Sequence, residues 1–154
     1  MRPLIRPATD ADARDLARVS LIVWDEAYGE IIDQAVLRRR RDEPAASREA
    51  RWAARIASEK VLVAVESGAL VGFARVAVAP KTEELLSLYT RRSHWRSGLG
   101  TRLLNESLRQ AAAELWVFEG NARAQRFYEH HGFRLDGQRH EDPPYGFEVH
   151  MVRP

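Results

Sequence analysis

Cysteine is absent from the 154-residue chain. Disulfides and thiolate zinc sites are therefore excluded, and the five histidines (His94, His130, His131, His140 and His150) do not fall at metal-ligand spacing, so no metal is expected. Long apolar runs are absent too, since none approaches the roughly 20 residues of a membrane span. The charged N-terminal segment, with two prolines, lacks the apolar core of a signal peptide. We expect a cytoplasmic protein with no membrane partner.

Lysine is scarce, whereas arginine is abundant. Lys60 and Lys81 are the only lysines among 24 basic residues, and 22 acidic residues leave a net charge of +2. So small a charge gives little reason to expect nucleic acid as a partner, and a nucleic-acid binder would show steeply salt-dependent association. The run from Arg38 to Arg41 is interpreted as a solvated helix face. The length fits a single domain, residues 1–154.

Apolar periodicity and turn residues indicate a mixed α/β sheet of about seven strands. Ser67-Gly68 is typical of a hairpin between two β-rich runs, and Gly132 is placed to end a helix. In order, the pattern predicts a strand at Leu4–Pro7, a helix to about Gly29, a helical region from Asp33 to Ser58 interrupted around Pro44, three strands between Val61 and Thr90, a helix from the glycine pair to about Ala113, a strand over 115–119, a helix over 121–131 and two closing strands.

Two glycines, Gly98 and Gly100, stand at the start of a helical pattern in HWRSGLGTRLLNESL. A helix start exposes unpaired amides and the positive end of the helix dipole, which suit an anion, and glycine lets the backbone approach phosphate oxygens. The pair is compatible with a pyrophosphate cradle or with an ordinary tight turn. A dinucleotide fingerprint is excluded by Leu103, and the Gly-Lys-Ser/Thr of a P-loop does not occur.

A second motif, LWVFEGNARAQRFYEHHGF, spans Leu115 to Phe133. If Asn121 begins a helix, Ala124 and Tyr128 follow at i+3 and i+7, so that an amide, a small side chain and a phenol line one groove. A capping asparagine before an aromatic helix that packs on the sheet is the alternative interpretation.

Together the two motifs resemble those of the GNAT superfamily of acetyl-CoA-dependent N-acetyltransferases. ELLSLYT followed by HWRSGLGTRLL is similar to the family's strand and pyrophosphate loop, and WVFEGNARAQRFYEHHGF is similar to its later strand and helix. The resemblance covers most of the chain. It implies an α/β (α+β) fold with a mixed, mostly antiparallel sheet of about seven strands, a central splay and four flanking helices.

The resemblance also implies a cofactor and a set of roles. The cofactor would be acetyl-CoA, the partner a small-molecule or peptide amine, and a homodimer is compatible with the family. The backbone of β-rich residues 88–90 would pair with the pantetheine arm, Asn121 would hydrogen-bond near the thioester, and Tyr128 would protonate the departing thiolate. The implied cofactor-binding residues are Leu88, Tyr89, Thr90, Arg96, Ser97, Gly98, Leu99, Gly100, Thr101, Asn121, Ala124 and Tyr128.

Three positions depart from the family pattern. Trp95 stands where Gln or Arg is usual, three residues before the first glycine, and Arg92 stands where a proline is frequent. Some members carry a catalytic carboxylate five residues before the asparagine, but here that residue is Trp116. Backbone amides do most of the binding in such a loop, so the first two losses are tolerable.

The implied mechanism is direct attack of a primary amine on the thioester. An alkyl amine of pKa ~10.4 is neutral in only about one molecule in 2,500 at pH 7, so a general base is useful. Glu84 is the first candidate for that base, Glu119 the second and Glu26 the third. A phenol of pKa ~10 stays protonated at pH 7, which makes Tyr128 the candidate acid.

The acceptor site is the part that the sequence determines least. In this superfamily the first helices and the final strands border it, so the candidate substrate-binding residues are Trp24, Glu26, Tyr28 and Tyr145. A carboxylate among them would favour a cationic amine. A non-catalytic acyl-CoA-binding sensor or regulatory module is the alternative to an enzyme.

Overall fold

The computed structural model describes residues 2–77, 82–109 and 111–154. Within them, the chain forms seven strands and five α-helices. They are β1 (Leu4–Pro7), α1 (Ala13–Tyr28), α2 (Gln34–Asp42), α3 (Ala45–Ser58), β2 (Lys60–Glu66), β3 (Ala69–Ala77), β4 (Glu83–Thr90), α4 (Leu99–Ser107), β5 (Ala113–Phe118), α5 (Ala122–His130), β6 (Arg134–Asp142) and β7 (Gly146–Arg153).

The strands form one sheet in the order β1-β2-β3-β4-β5-β7-β6. Every neighbouring pair is antiparallel except β4 and β5, which run parallel. Their pairing covers only three residue pairs, from Glu83 with Ala113 to Leu85 with Leu115. Beyond Leu85 the two strands continue unpaired with each other, and the sheet opens into a wedge. The predicted mixed, mostly antiparallel sheet with a central splay is confirmed.

Helices cover both faces of the sheet at β2, whereas β6 is exposed along nearly its whole length. On one face, Val63 of β2 packs with Leu16 of α1 and Trp52 of α3. On the other face, the neighbouring Leu62 packs with Leu103 of α4. Full burial of a large apolar side chain contributes roughly 1.5–3 kcal/mol, so the two helix layers fix the sheet from both sides and leave its central wedge open.

Helix α4 ends earlier than the alanine-rich sequence predicts. The predicted end was about Ala113, but the helix ends at Ser107 and Leu108 is already extended, with φ −96° and ψ 117°. Ala113 instead begins β5, where it pairs with Glu83. Alanine favours a helix by propensity, but here the register of the sheet decides. The main-chain N–H of Arg109 also donates to the buried Glu83 carboxylate, at 2.7 Å.

The described residues form five helices rather than the four that were expected. Pro44 is the reason, because it divides the region from Asp33 to Ser58 into two helices. Asp33 caps α2, its side chain accepting from the N–H of Ala35 at 2.7 Å. Pro44, with φ −55° and ψ 137°, is the N-cap of α3, a place where its missing N–H costs little.

Within the described ranges, no helix is long and apolar enough to cross a membrane. The same residues contain no group of three or more His, Asp or Glu side chains placed to hold a metal ion. Three histidines instead contact carboxylates: His94 with Glu66, His140 with Glu148 and His150 with Asp136.

Candidate active site

A cavity of about 1180 Å³ opens at the wedge between β4 and β5. The separated ends of both strands line it, together with the loop before α4, one face of α5 and side chains from α1, α2 and α3. Its volume lies slightly above the usual size of ligand pockets, roughly 300–1,000 Å³. The glycine loop and the second motif, which are separate in the sequence, line the same cavity.

The loop before α4 presents free main-chain N–H groups in the cavity wall. Arg96 and Gly98 adopt positive φ angles of 61° and 89°, and Gly98 is the N-cap of α4. The N–H groups of Arg96, Gly98, Gly100 and Thr101 have no acceptor among the described residues. Amides grouped in such turned backbone at a helix start form an anion-binding concavity.

Two residues of the predicted loop set do not line the cavity. The Leu99 side chain is only 2% exposed and packs in the core below α4. The Ser97 hydroxyl donates to the main-chain oxygen of His94 at 2.5 Å and accepts from the N–H of Leu99 at 3.3 Å. Ser97 and Leu99 therefore shape the loop from within.

Trp95, which departs from the family pattern, ties this loop to its neighbours. Its indole Nε1 donates to the main-chain oxygen of Thr90 at 3.2 Å. The guanidinium of Arg123, on α5, lies 3.7 Å from the centroid of its ring system. Trp95 thereby connects the end of β4 to α5 across the mouth of the wedge.

Asn121 both caps α5 and faces the cavity. Its side chain is buried, and Oδ1 accepts from the N–H of Ala124 at 3.1 Å. The side-chain nitrogen has no partner within the described part of the chain. Capping and ligand binding, which the sequence left as alternatives, are thus compatible. Leu88, Tyr89 and Thr90 lie in the opposite wall of the wedge.

Tyr128 lies on α5 one turn beyond Ala124 and is 8% exposed. Its ring packs edge-on against Phe127 and Phe133, at centroid distances of 5.3 and 5.8 Å. Among the described residues, its hydroxyl has no hydrogen-bond partner. Burial, with a further contribution from Tyr89, raises the pKa of Tyr128 well above its ordinary value near 10. The phenol is therefore protonated at neutral pH.

Aromatic side chains form the wall next to Tyr128. The hydroxyls of Tyr28 and Tyr89 are 2.7 Å apart. Trp24 packs edge-on against Tyr28 at 4.7 Å and against Tyr145 at 5.2 Å between centroids. Three of the four predicted substrate-binding residues, Trp24, Tyr28 and Tyr145, therefore come together in the cavity wall.

Glu84, the first candidate for a catalytic base, does not line the cavity. It lies at the start of β4, on the paired side of the wedge, opposite Glu114 of β5. Burial raises the pKa of Glu84, and the nearby negative charge of Glu114 adds to the rise. The sequence put Glu84 on the correct strand, but at the end away from the glycine loop.

The other two candidate bases are held in ion pairs outside the cavity. Glu26 accepts from Nε of Arg91 and from the main-chain N–H of Arg92, each at 3.1 Å. Glu119 is bound by both sides of the Arg139 guanidinium, at 2.9 and 3.0 Å. Glu26 was also predicted to bind substrate, but unlike Trp24 and Tyr28 it does not line the cavity.

Glu148 is a cavity carboxylate that the sequence analysis did not select. It lies on β7 opposite Phe118 of β5 and lines the cavity. One of its oxygens is 2.9 Å from Nε2 of His140. The side chain of Glu148 is 19% exposed and that of His140 is 44% exposed, so the imidazole leads from the cavity towards solvent. The sequence signal that could have identified Glu148 is the alternation of side chains along β7, which places Glu148 and Val149 on opposite faces of the sheet.

Arginine provides most of the charge in the cavity wall. Among the described residues, eight arginines but only three carboxylates line it. Arg40 is one of them, half-buried with its guanidinium 3.6 Å from the Trp24 centroid. The interpretation of the arginine run as a solvated face is therefore wrong for Arg40, although Arg38 and Arg39 are exposed.

A family model described as the acetyltransferase (GNAT) family matches residues 24–133. Since the match covers more than half of the chain, the protein belongs to this family, as its motifs predicted. The predicted cofactor, acetyl-CoA, is the one that the family uses. No curated protein sequence matches the chain significantly.

Solved structures of the same fold come from several organisms. PaiA N-acetyltransferase of Thermoplasma acidophilum, in complex with coenzyme A, is 21% identical with a TM-score of 0.77, over 97% of this chain and 98% of its own. A GCN5-related N-acetyltransferase of Rhodopseudomonas palustris is 22% identical with a TM-score of 0.79, over 99% and 96%. YncA of Salmonella typhimurium, solved with acetyl-CoA, is 21% identical with a TM-score of 0.69, over 99% and 93%. At these identities the likeness establishes the fold.

Proposed function

We propose that the protein transfers the acetyl group of acetyl-CoA to a primary amine, which attacks the thioester directly. The observation that carries this proposal is Tyr128, a buried residue whose hydroxyl makes no hydrogen bond to the described residues. It faces the cavity where the loop of free amides meets two open strand edges. A site that only held a coenzyme would have no need of a proton donor at this point.

The described residues fit the coenzyme in three respects. The free N–H groups of loop 96–101 suit a pyrophosphate. The edge of residues 88–90 is not paired with β5, and apart from the Thr90 oxygen, which accepts from Trp95, it can bond the amides of the pantetheine arm as an added strand. The free nitrogen of Asn121 faces it. Ala124 leaves space beside Tyr128. When bound, acetyl-CoA supplies an acyl group that is already activated as a thioester.

In this proposal Tyr128 donates its proton to the sulfur while the new N–C bond forms and the C–S bond breaks. An ordinary thiol has a pKa of ~8.5. A thiolate leaving beside the buried Tyr128 is poorly solvated, so it is a stronger base there and takes a proton more readily from a phenol. The raised pKa of Tyr128 guarantees that the proton is present at neutral pH.

We assign the general base to Glu148. Its carboxylate lines the same cavity, and after burial its negative charge is among the causes that raise the pKa of Tyr28 and of Tyr89. The charge of Glu148 is therefore felt at the hydroxyls of Tyr28 and Tyr89, which lie beside Tyr128. Glu148 would take a proton from the amine, directly or through water, and pass it to His140, which reaches solvent.

Glu148→Gln is expected to lower kcat by about 10²-fold at pH 7, because the amide cannot accept the proton of the amine. Steady-state kinetics with acetyl-CoA and a saturating amine would measure the effect. Glu84→Gln is the matched control, since Glu84 is also partly buried but lies outside the cavity. A large loss in Glu84→Gln together with full activity in Glu148→Gln would reverse the assignment.

The raised pKa of Tyr128 predicts the alkaline side of the pH profile. A group whose pKa is raised keeps its proton to higher pH, so the acid stays functional as the pH increases. At saturating substrates, kcat is expected to remain level up to about pH 10. A loss of kcat with an apparent pKa well below that value, absent from the Tyr128→Phe variant, would contradict this expectation.

An acceptor screen tests the function itself. The purified protein is mixed with acetyl-CoA and a panel of amines, thiol release is followed, and products are identified by mass spectrometry. N-acetylated products are expected. The alternative, a non-catalytic acyl-CoA-binding module, predicts binding of coenzyme A in calorimetry but no thiol release with any amine. No binding of either form at millimolar concentration would overturn both.

A further inference from the structure

The cavity continues past Tyr89 into a basic wall. Aromatic contacts lead there, since the Phe73 centroid lies 5.6 Å from that of Tyr89 and 5.0 Å from that of Trp52. Arginines from α2, α3 and β3 surround this end of the cavity. They are Arg40, Arg48, Arg51, Arg55 and Arg75.

Two of these arginines are neutralised by ion pairs within the protein. Arg75 makes two hydrogen bonds to the carboxylate of Glu59, both 2.8 Å long. Arg51 pairs with the carboxylate of Glu43. The charges of Arg51 and Arg75 therefore serve the fold and are not available to a ligand.

Arg40 and Arg55 have no ion-pair partner in the described part of the chain. Each guanidinium instead lies over a tryptophan ring, Arg40 at 3.6 Å from the Trp24 centroid and Arg55 at 4.9 Å from that of Trp52. Nε of the nearby Arg48 is buried without a hydrogen-bond partner. Arg40 also has a side-chain hydrogen bond to Tyr145, and Nη1 of Arg48 donates to the main-chain oxygen of Glu43. What these guanidinium groups lack among the described residues is a carboxylate partner, and cationic groups held in place without one are typical of a site for an anion.

The electrostatics of this end of the cavity point the same way. Burial and the positive charge of Arg75 lower the pKa of Arg55 to about 10. Burial also lowers the pKa of Arg40. Both remain charged at neutral pH, so positive charges are held together in a partly desolvated space. An anion bound between them would relieve that repulsion.

We infer that the acceptor is an amine that also carries an oxyanion, a carboxylate or a phosphonate, which Arg40 and Arg55 bind. The inference rests on the proposed function and names its substrate class. Guanidinium groups bind such oxyanions through paired hydrogen bonds. The loop proposed for the pyrophosphate lies beside α5, where a Cβ at Gly100 would come within 3.4 Å of the Phe127 ring. Arg40 and Arg55 lie over tryptophans of α1 and α3 instead, so a pyrophosphate on that loop does not account for them. The expectation of a cationic acceptor rested on Glu26, which lies outside the cavity.

Matched acceptor pairs test this inference. The common L-amino acids, their primary amides and aminomethylphosphonate are compared as acceptors, and their binding to the protein with coenzyme A is measured by calorimetry. We expect at least one free acid or the phosphonate to exceed its counterpart without the oxyanion, the amide or methylamine, by about tenfold or more in affinity and in kcat/KM. Equal or better binding of the amides and methylamine throughout would overturn the inference.

Arginine variants locate the effect. Arg55→Met and Arg40→Met keep most of the apolar stem and remove the charge, so each is expected to abolish most of the acid-over-amide preference, chiefly through KM. Arg38→Met, an exposed position on the same helix as Arg40, is the control that keeps the preference. Thermal denaturation verifies folding, and having two separate variants protects the test from one that unfolds. A preference that survives in both folded variants would also overturn the inference.

The binding arm separates this inference from the proposed function. If the acids bind preferentially in the presence of coenzyme A but no amine causes thiol release from acetyl-CoA, the transferase proposal fails while the oxyanion site stands. If thiol is released with amines that lack an oxyanion and the acids are disfavoured, the transferase stands and the oxyanion site fails.

Discussion

Tyr128→Phe is expected to lower kcat by about 10²-fold, which is the lower range of what a positioned general acid contributes. The phenyl ring keeps the packing against Phe127 and Phe133. Because the hydroxyl has no hydrogen-bond partner among the described residues, its removal leaves no buried polar group unpaired. Stability and affinity for coenzyme A should therefore change little, and the loss should fall on the chemical step.

Kinetics and calorimetry on the same preparation would measure both quantities. Tyr28→Phe is the matched control, because it removes another buried hydroxyl from the same cavity. That hydroxyl is bonded to Tyr89, so its removal is expected to cost stability, about 1 kcal/mol, and far less of kcat. An unchanged kcat in Tyr128→Phe, under conditions where chemistry limits the rate, would remove Tyr128 from its assigned role.

Gly98→Val is expected to weaken coenzyme A binding by about tenfold or more. Gly98 has a φ of 89°, which costs a residue with a side chain about 1–2 kcal/mol, and a β-branched one more. A Cβ at this position would meet no heavy atom within 4 Å. The damage therefore comes from backbone strain, which would turn the free amides of the loop away from the pyrophosphate. Calorimetric titration with coenzyme A would measure the change.

Gly68→Val is the matched control for this substitution. Gly68 also has a positive φ, of 79°, and a Cβ there would also meet nothing within 4 Å. It lies in the turn between β2 and β3 and does not line the cavity. It should lose similar stability and keep its affinity for the coenzyme. Full affinity in a folded Gly98→Val protein would contradict the proposed cradle.

Most of the order of strands and helices along the chain, and several helix starts, could be predicted because local chemistry determines them. Ser67 and Gly68 both take positive φ in the predicted hairpin, and Gly132 does so at the end of α5. Asn121 caps α5 as its position in the motif indicated. These features depend on a few neighbouring residues, so they can be predicted from the sequence without knowledge of the tertiary structure.

The remaining parts of the site depend on contacts between distant segments. Glu148 reaches the cavity only because β7 pairs with β5, and the sequence does not reveal that neighbour. Glu84 was favoured for lying on the strand before the glycine loop, but strand register puts it beside Glu114 instead. Arg40 differs from the exposed Arg38 and Arg39 only because Trp24, on another helix, lies below it.

If the coenzyme binds as proposed, the short parallel junction between β4 and β5 would make it contribute to the stability of the whole domain. The half-sheet of β1–β4 and the half-sheet of β5–β7 share a seam of three main-chain residue pairs, whereas β5 and β7 are in register over six. A ligand hydrogen-bonded along the open edge of β4 would act as a further strand that joins the two half-sheets. A ligand that binds only the native state stabilises it in proportion to the logarithm of the ligand concentration. The concentration of the acyl donor would therefore determine how stable the junction between β4 and β5 is.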